Sequence, residues 1–331
     1  MLTKKSLLSL TALGVVSVLA LSGCSDSGDT TDDGMLKIGI TQLATHPSLD
    51  AVREGFKAAL SDNGYVEGEQ VSYDEKNAQG EQANAVTIAG KFATDDLDLV
   101  LAIATQTAQT AAQKITKTPV LFSAVTDPVV AGLVTSLDKP GGNVTGTSDL
   151  NPVADQIQLI ADTMPEAEKV GVIYSSGEVN SQIQVDLAKK AADKLGLTIV
   201  EKTITNSSEV GTAASTLKDV DALYIPTDNR VVEGFEAVIK FAETNSIPVF
   251  AGDVASVERG AVATYGIDYE KLGYQTGEMA VKILKDGAKP ADLPVETMNE
   301  VQLVVNPKAA ARQGLDLSET FVDGADEVVG D

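Results

Sequence analysis

Polar side chains recur just beyond the apolar runs of this chain, and their chemistry is that of hydrogen bonding. Thr41, Gln42, Thr45 and His46 follow the first run, and Thr105, Gln106 and Thr107 follow the run Asp98 to Ala104. Ser123, Thr126 and Asp127 close the next one. Farther along come Ser175, Ser176, Asn180 and Ser181, then Thr227, Asp228 and Asn229, then Asp253. Hydroxyls, amides and a few acids dominate, with hardly any base, which suits gripping a small polar ligand better than breaking a bond. Thr105 stands between an apolar run and a helical pattern. There its hydroxyl caps free backbone N–H groups, or those groups and the helix dipole hold an anion such as a carboxylate. Asp228 has the matching place in the second half, where it either caps the next helix or faces a cation through a charge-assisted hydrogen bond. Together the two would bracket a zwitterion.

Other chemistries find little support. His46 is the only histidine and Cys24 the only cysteine, so a zinc site has no second His or Cys to complete it. His46, just before Pro47, either packs in its loop or touches a ligand. There is no histidine to spare for a hydrolase triad, no Gly-rich phosphate loop, and no Gly-x-Gly-x-x-Gly behind a strand. The chain is read as a non-enzyme with no catalytic residue, no metal and no cofactor.

The elements that must position these residues alternate between β-rich runs and amphipathic helical patterns, the signature of parallel sheets covered by helices. Leu36 to Ile40, Gln70 to Tyr73, Asp98 to Ala104 and Pro119 to Ala124 read as strands. The spacing predicts helices over Leu49 to Asn63, Glu81 to Ala93 and Thr107 to Ile115. A second series has strands at Lys169 to Tyr174, Thr198 to Ile204, Asp221 to Pro226 and Pro248 to Ala251. Its helices fall at Ser181 to Leu195, Glu209 to Leu217 and Val232 to Asn245. An Asp-x-Asp opening, an apolar strand, a Thr, a helix and a Pro-Val strand occur in both series, at Asp96–Asp98 and again at Asp219–Asp221. Two similar lobes imply a cleft, and in open parallel sheets ligands bind beyond the carboxyl ends of the strands. Lys139 to Ser148 fits a first crossing between lobes, Ala261 to Asp268 a return, and Val301 to Val305 a third. Three crossing strands make a hinge. A long helix, Lys271 to Lys285, follows the return.

At the N-terminus, Lys4 and Lys5 precede an apolar stretch from Leu7 to Leu21, and Leu21-Ser22-Gly23-Cys24 closes it. That is an export signal ending in a lipobox-like run, whose expected fate is cleavage before Cys24 and lipid attachment to its thiol. Ser25 to Gly34 is polar and acidic, and reads as a flexible tether. The expected partition is a signal at 1–23, a tether at 24–35, one lobe from 36–147 plus 268–299, and the other from 148–267 plus 300–322. An acidic tail, 323–331, completes it. The 48 Asp and Glu against 25 Lys and Arg would repel a polyanion, which argues against nucleic acid.

In order along the chain, several stretches resemble one family. They include Ile40-Thr41-Gln42 with His46-Pro47 and Gly55-Phe56, Ala104-Thr105-Gln106-Thr107, Phe122-Ser123 through Pro128, and Asn143 to Ser148. Tyr174 to Ser176 with Asn180-Ser181, Pro226 to Asn229, and Tyr265 to Gly273 continue it. The chain resembles ABC-transporter substrate-binding lipoproteins of the tryptophan/tyrosine type. The resemblance implies an α/β type I periplasmic-binding-protein fold, two Rossmann-like parallel-sheet lobes joined by a three-strand hinge. It implies capture of a small zwitterion, an L-amino acid with an aromatic or hydrophobic side chain, and delivery to an ABC permease with a cytoplasmic ATPase. It further implies a monomer outside the cell, held to the membrane's outer face through its lipid alone. A ligand sensor presenting its solute to a membrane receptor is the alternative. The implied binding set is Gln42, Thr105, Gln106, Thr107, Ser123, Thr126, Ser176, Asn180, Ser181, Asp228 and Asp253. No tryptophan is present to serve as an aromatic platform, and Phe122, Tyr174, Tyr224 and Tyr265 are the candidates to replace it.

Overall fold

A computed structural model describes residues 34–330. Cys24, the signal and the tether up to residue 33 lie outside the described residues. No helix among the described residues is long and apolar enough to cross a membrane.

The first run of elements is β1 (Leu36–Gln42), α1 (Pro47–Asp62), β2 (Val71–Asn77), α2 (Gln82–Phe92), β3 (Leu99–Ile103), α3 (Thr105–Lys114), β4 (Val120–Val125) and β5 (Val144–Ser148). The second is α4 (Val153–Thr163), β6 (Lys169–Ser175), α5 (Val179–Leu195), β7 (Thr198–Ile204), α6 (Val210–Ser215), β8 (Ala222–Ile225), α7 (Asn229–Glu233), α8 (Phe235–Asn245), β9 (Val249–Ala251), α9 (Val254–Glu258) and β10 (Ala263–Gly266). The chain then returns through α10 (Tyr269–Asp286) and β11 (Glu296–Thr297). It finishes with β12 (Gln302–Val305), α11 (Pro307–Arg312), α12 (Glu319–Asp323) and β13 (Glu327–Val328).

These strands form two sheets. One is six-stranded and parallel throughout, in the order β11-β5-β4-β3-β1-β2. The other has seven strands, β13-β12-β10-β9-β8-β6-β7, parallel except where β10 meets β12. Side-chain alternation along β3 explains the layering. Leu99, Leu101 and Ile103 point into a core shared with α1 and α10, while Val100 and Ala102 join Phe92 and Phe122 on the opposite face. Both faces are covered, so every residue of β3 and β4 is buried. In the second sheet α4 packs with α5 and α6 packs with α8, each pair lying over its own core. The chain passes between the sheets three times, through 149–152, 267–268 and 298–301.

Several expectations shift. The helix expected over Val232 to Asn245 is two, broken at Gly234, and the first begins earlier because Asp228 caps it. The helix expected from Thr107 begins at Thr105, because Ala104 turns the chain with φ +80°. Within the segment expected as an acidic tail, residues 323–330 take part in the fold: β13 pairs with β12, and the Leu303 N–H donates to Asp326 at 2.8 Å. Gly196 ends α5 in the left-handed region at φ +75°, the conformation that favours glycine there.

Candidate functional site

The C-terminal ends of the two sheets face each other across a small cavity of about 20 Å³. His46, Ser48 and Leu49 reach it from the start of α1, Ala124 and Thr126 from the end of β4, and Asp149 from the first crossing. The opposite wall is Asn180, Thr227, Asn229, Val232 and Asp253, and Tyr269 enters from the start of α10. Sheet geometry accounts for this, since each residue lies at or just after a strand's C-terminal end or at the first turn of the next helix. The backbone is strained here. Ala104 (φ +80°) precedes α3 and Ala124 (φ +55°) lines the cavity, both in a region non-glycine residues avoid.

Hydrogen bonds join the two walls. The His46 Nε2 donates to Asn229 Oδ1 at 3.3 Å, and the Ser48 hydroxyl donates to Asp253 Oδ1 at 3.0 Å. Gln106 Nε2 donates to the Gly177 carbonyl at 2.9 Å, and Arg230 Nη2 to the Gly80 carbonyl at 3.3 Å. The cleft is therefore closed.

The electrostatics are acidic. Asp149 accepts from the Tyr269 hydroxyl at 2.8 Å and from the Thr126 hydroxyl at 3.3 Å, and burial pushes its carboxyl up to about 6. Asp253 caps α9 through the Ser256 N–H at 3.0 Å and still lines the cavity. Glu178, behind Asn180 and Asn229, is raised by burial and by the neighbouring Asp228 charge. Burial holds the His46 imidazole below its usual value, against the pull of Asp253.

Of the sequence-derived set, Thr126, Asn180 and Asp253 line the cavity. Thr105 and Gln106 open α3 beside it; the Thr105 hydroxyl is buried without a partner, as is Gln106 Oε1. The others serve the scaffold. Gln42 donates to the Ala44 carbonyl and to Asp50, bracing its loop. Thr107 donates to the Ile103 and Ala104 carbonyls, and Ser123 joins a buried hydroxyl cluster with Thr147 and Thr276. Ser176 is exposed.

Asp228 requires correction. It does not line the cavity: one oxygen caps α7 through the Arg230 and Val231 N–H groups, and the other accepts from the Ser175 N–H and the Ser181 hydroxyl. All its acceptor capacity is used inside one lobe, so it has nothing left for a ligand cation. The aromatic candidates also fail. Phe122 and Tyr224 are core, Tyr174 bonds Glu201, and Tyr265 is absent from the lining. Tyr269 is the aromatic that lines the cavity. Ser48, Leu49, Asp149, Val232 and Tyr269 were missed, although Asp149 and Tyr269 obey the rule applied elsewhere, polar groups just beyond a strand.

The family described as ABC transporter substrate binding protein matches residues 37–329. A protein named tyrosine-binding protein, from Clostridioides difficile (strain R20291), is 43% identical over 100% of this chain and 98% of its own length. The crystal structure of an ABC domain in complex with L-Trp from Streptococcus pneumonia is 38% identical, covers 89% of this chain and 100% of its own, and superimposes with a TM-score of 0.86. The ligand-free, open structure of a substrate-binding protein with adhesive properties from Clostridium difficile is 45% identical over 90% of this chain and 100% of its own, yet its TM-score is 0.67. The more similar sequence gives the poorer superposition, as a closed cleft compared with an open one should. A 5-methylthioribose transporter solute-binding protein from Thermotoga lettingae, at 14% identity and a TM-score of 0.60, shares the fold of type I periplasmic binding proteins.

Proposed function

The chain belongs to the ABC transporter substrate-binding protein family, a solute-binding and not an enzymatic one, and from that premise we propose that it captures a free L-amino acid with an aromatic or hydrophobic side chain. The observation that carries this reading is the lining itself. Asp149 and Asp253 meet an apolar surface of Leu49, Ala124, Val232 and the Tyr269 ring in one closed cavity. A buried zwitterion needs a partner for each charge. The N–H groups opening α3, with the unpartnered Thr105 hydroxyl, suit the carboxylate. Asp149 and Asp253 suit the ammonium, in place of Asp228. The apolar surface takes the side chain, in keeping with a 43% identical relative named for tyrosine and a 38% identical structure holding L-Trp.

In this reading the loaded protein, a monomer tethered by a lipid on Cys24, delivers its amino acid to an ABC permease driven by a cytoplasmic ATPase. Thermal denaturation with L-tyrosine, L-tryptophan, L-phenylalanine, L-glutamate and glucose tests the capture step. A ligand at 100 times its Kd stabilises the fold by about 2.7 kcal/mol. The aromatic amino acids should raise Tm and glucose should not; no shift with any amino acid refutes the reading. Membrane fractionation of Cys24→Ala tests the anchor, which is lost if the reading holds.

A further inference from the structure

Asp149 and Tyr269 sit side by side at the cavity, yet they come from different passages between the lobes. Asp149 opens the first crossing and Tyr269 follows the second. The Tyr269 hydroxyl donates to Asp149 Oδ2 at 2.8 Å, and Asn151 Nδ2 donates to the same hydroxyl at 3.4 Å. Asn151 also accepts from the Ile267 N–H at 3.3 Å, so side chains of the first crossing grip the second at two points. All three side chains are buried. Rotation of the lobes bends the crossings against each other, and a bond between them is made or strained by that motion.

We infer that Tyr269 is a positioning residue, whose hydroxyl aims the Asp149 carboxylate into the cavity and couples a cation bound there to the angle between the two crossings. This rests on the reading that the cavity receives an ammonium group. Without the hydroxyl, the carboxylate keeps the longer bond from Thr126, at 3.3 Å, and the one from its own backbone N–H. It is then held less firmly, and its charged form loses the donor at 2.8 Å.

The groups facing Asp149 set the direction of the pH effect. Burial raises its carboxyl, Tyr269 and Thr126 oppose that, and Asp253 at the start of α9 adds to it. An ammonium needs the charged form, so affinity falls as pH drops through the carboxyl's value. Removing a donor moves that fall to higher pH. His46 lines the same cavity and adds an acid limb of its own, but equally in both proteins.

The test compares full-length wild type with Tyr269→Phe, by calorimetry with L-tyrosine and L-tryptophan from pH 5 to 8 and by small-angle scattering with and without ligand. Asp149→Asn, alone and combined with Tyr269→Phe, is the second variant. The expected result is a ligand-free Tm close to wild type, incomplete compaction at saturation, and an affinity loss at pH 6 of about tenfold that shrinks at pH 8. On the Asp149→Asn background, Tyr269→Phe should add little. A loss equal at every pH, or undiminished when Asp149 is already neutral, overturns the inference and leaves an ordinary packing role. Wild type that binds neither amino acid overturns the cavity reading first, and the inference with it.

Discussion

α1 and α10 touch backbone to backbone, and the site depends on that closeness. A Cβ at Gly273 would lie 2.0 Å from the Val52 carbonyl oxygen, and one at Gly55 would lie 2.0 Å from the Glu270 carbonyl oxygen. Ordinary van der Waals contact begins at 3.4 Å, so the helices must part by more than an ångström to admit a methyl group. The obstacle is main chain, which has no rotamer to escape into. Overpacking costs about 1–3 kcal/mol and sometimes more, while the alanine returns about 1 kcal/mol of helix propensity. Gly273→Ala should therefore lose about 2 kcal/mol net, at the upper end because nothing can yield. For a chain of this size that lowers Tm by roughly 4 °C or more. Gly90→Ala in α2 is the matched control. Nothing lies within 4 Å of its added Cβ, so only the propensity gain remains, and Tm should rise by about 1–2 °C. The effect should reach function, since α1 carries Ser48 and Leu49 into the cavity and α10 carries Tyr269. L-tyrosine affinity of Gly273→Ala should fall at temperatures where the variant is folded. Differential scanning calorimetry of both variants decides the matter. If Gly273→Ala melts as high as Gly90→Ala, the close approach of the two helices is wrong.

Asp253→Asn keeps the shape of the cavity and removes one charge facing the ammonium, at a cost of about 2–5 kcal/mol, so calorimetry should show affinity reduced well over tenfold. Thr105→Val removes a hydroxyl that bonds nothing in the protein, so Tm should hold while L-tyrosine binds several-fold more weakly. Glu178→Gln concerns pH. Burial and Asp228 raise the Glu178 carboxyl above its ordinary 4.5, so the folded chain keeps a proton that the unfolded chain releases. Its contribution to stability is full below 4.5 and is lost as pH rises toward the raised value. The Gln variant should lack this decline and exceed wild type in urea denaturation at pH 8; identical pH profiles would remove the argument.

The architecture was legible because period and punctuation agree. The apolar runs at β3 and β4 are buried on both faces, and Gly196 ends α5 where its type suggests. Short elements with no run of their own escaped: β11 and β13 are two residues each and exist only by pairing with β5 and β12. At the site, the rule that polar residues beyond strands face the cleft found Thr126, Asn180 and Asp253. It cannot tell which acid turns inward. Asp228 and Asp253 both precede a short helix and both cap it. What separates them is whether the second carboxylate oxygen meets Ser175 and Ser181 of the same lobe, or whether the group meets Ser48 across the cleft. That is a tertiary fact, and no spacing encodes it.

The same polar groups explain why closure can respond to a ligand. Among the described residues, four hydrogen bonds cross the cleft, from His46, Ser48, Gln106 and Arg230. At about 0.5–1.5 kcal/mol net each, they favour closure by a few kcal/mol. Against them stand buried atoms that closing leaves without partners beside the cavity: Thr105 Oγ1, Gln106 Oε1, Asn180 Oδ1 and His46 Nδ1. Each such atom costs about 1–3 kcal/mol, so the four together oppose closure by about twice what the four bonds supply. A ligand that gives those atoms partners in the closed form therefore shifts the equilibrium toward it. A zwitterion supplies donors to the amide and imidazole acceptors and an acceptor to the Thr105 hydroxyl, so it turns the opposing term into a favourable one. A sugar, with hydroxyls but no charge, would satisfy some of these atoms and leave Asp149 and Asp253 buried without a counter-ion. On the reading that the cavity receives a zwitterion, selectivity for charge and motion of the lobes are one free-energy difference, and a substitution that fills an orphaned acceptor within the protein should close the cleft while weakening the response to ligand.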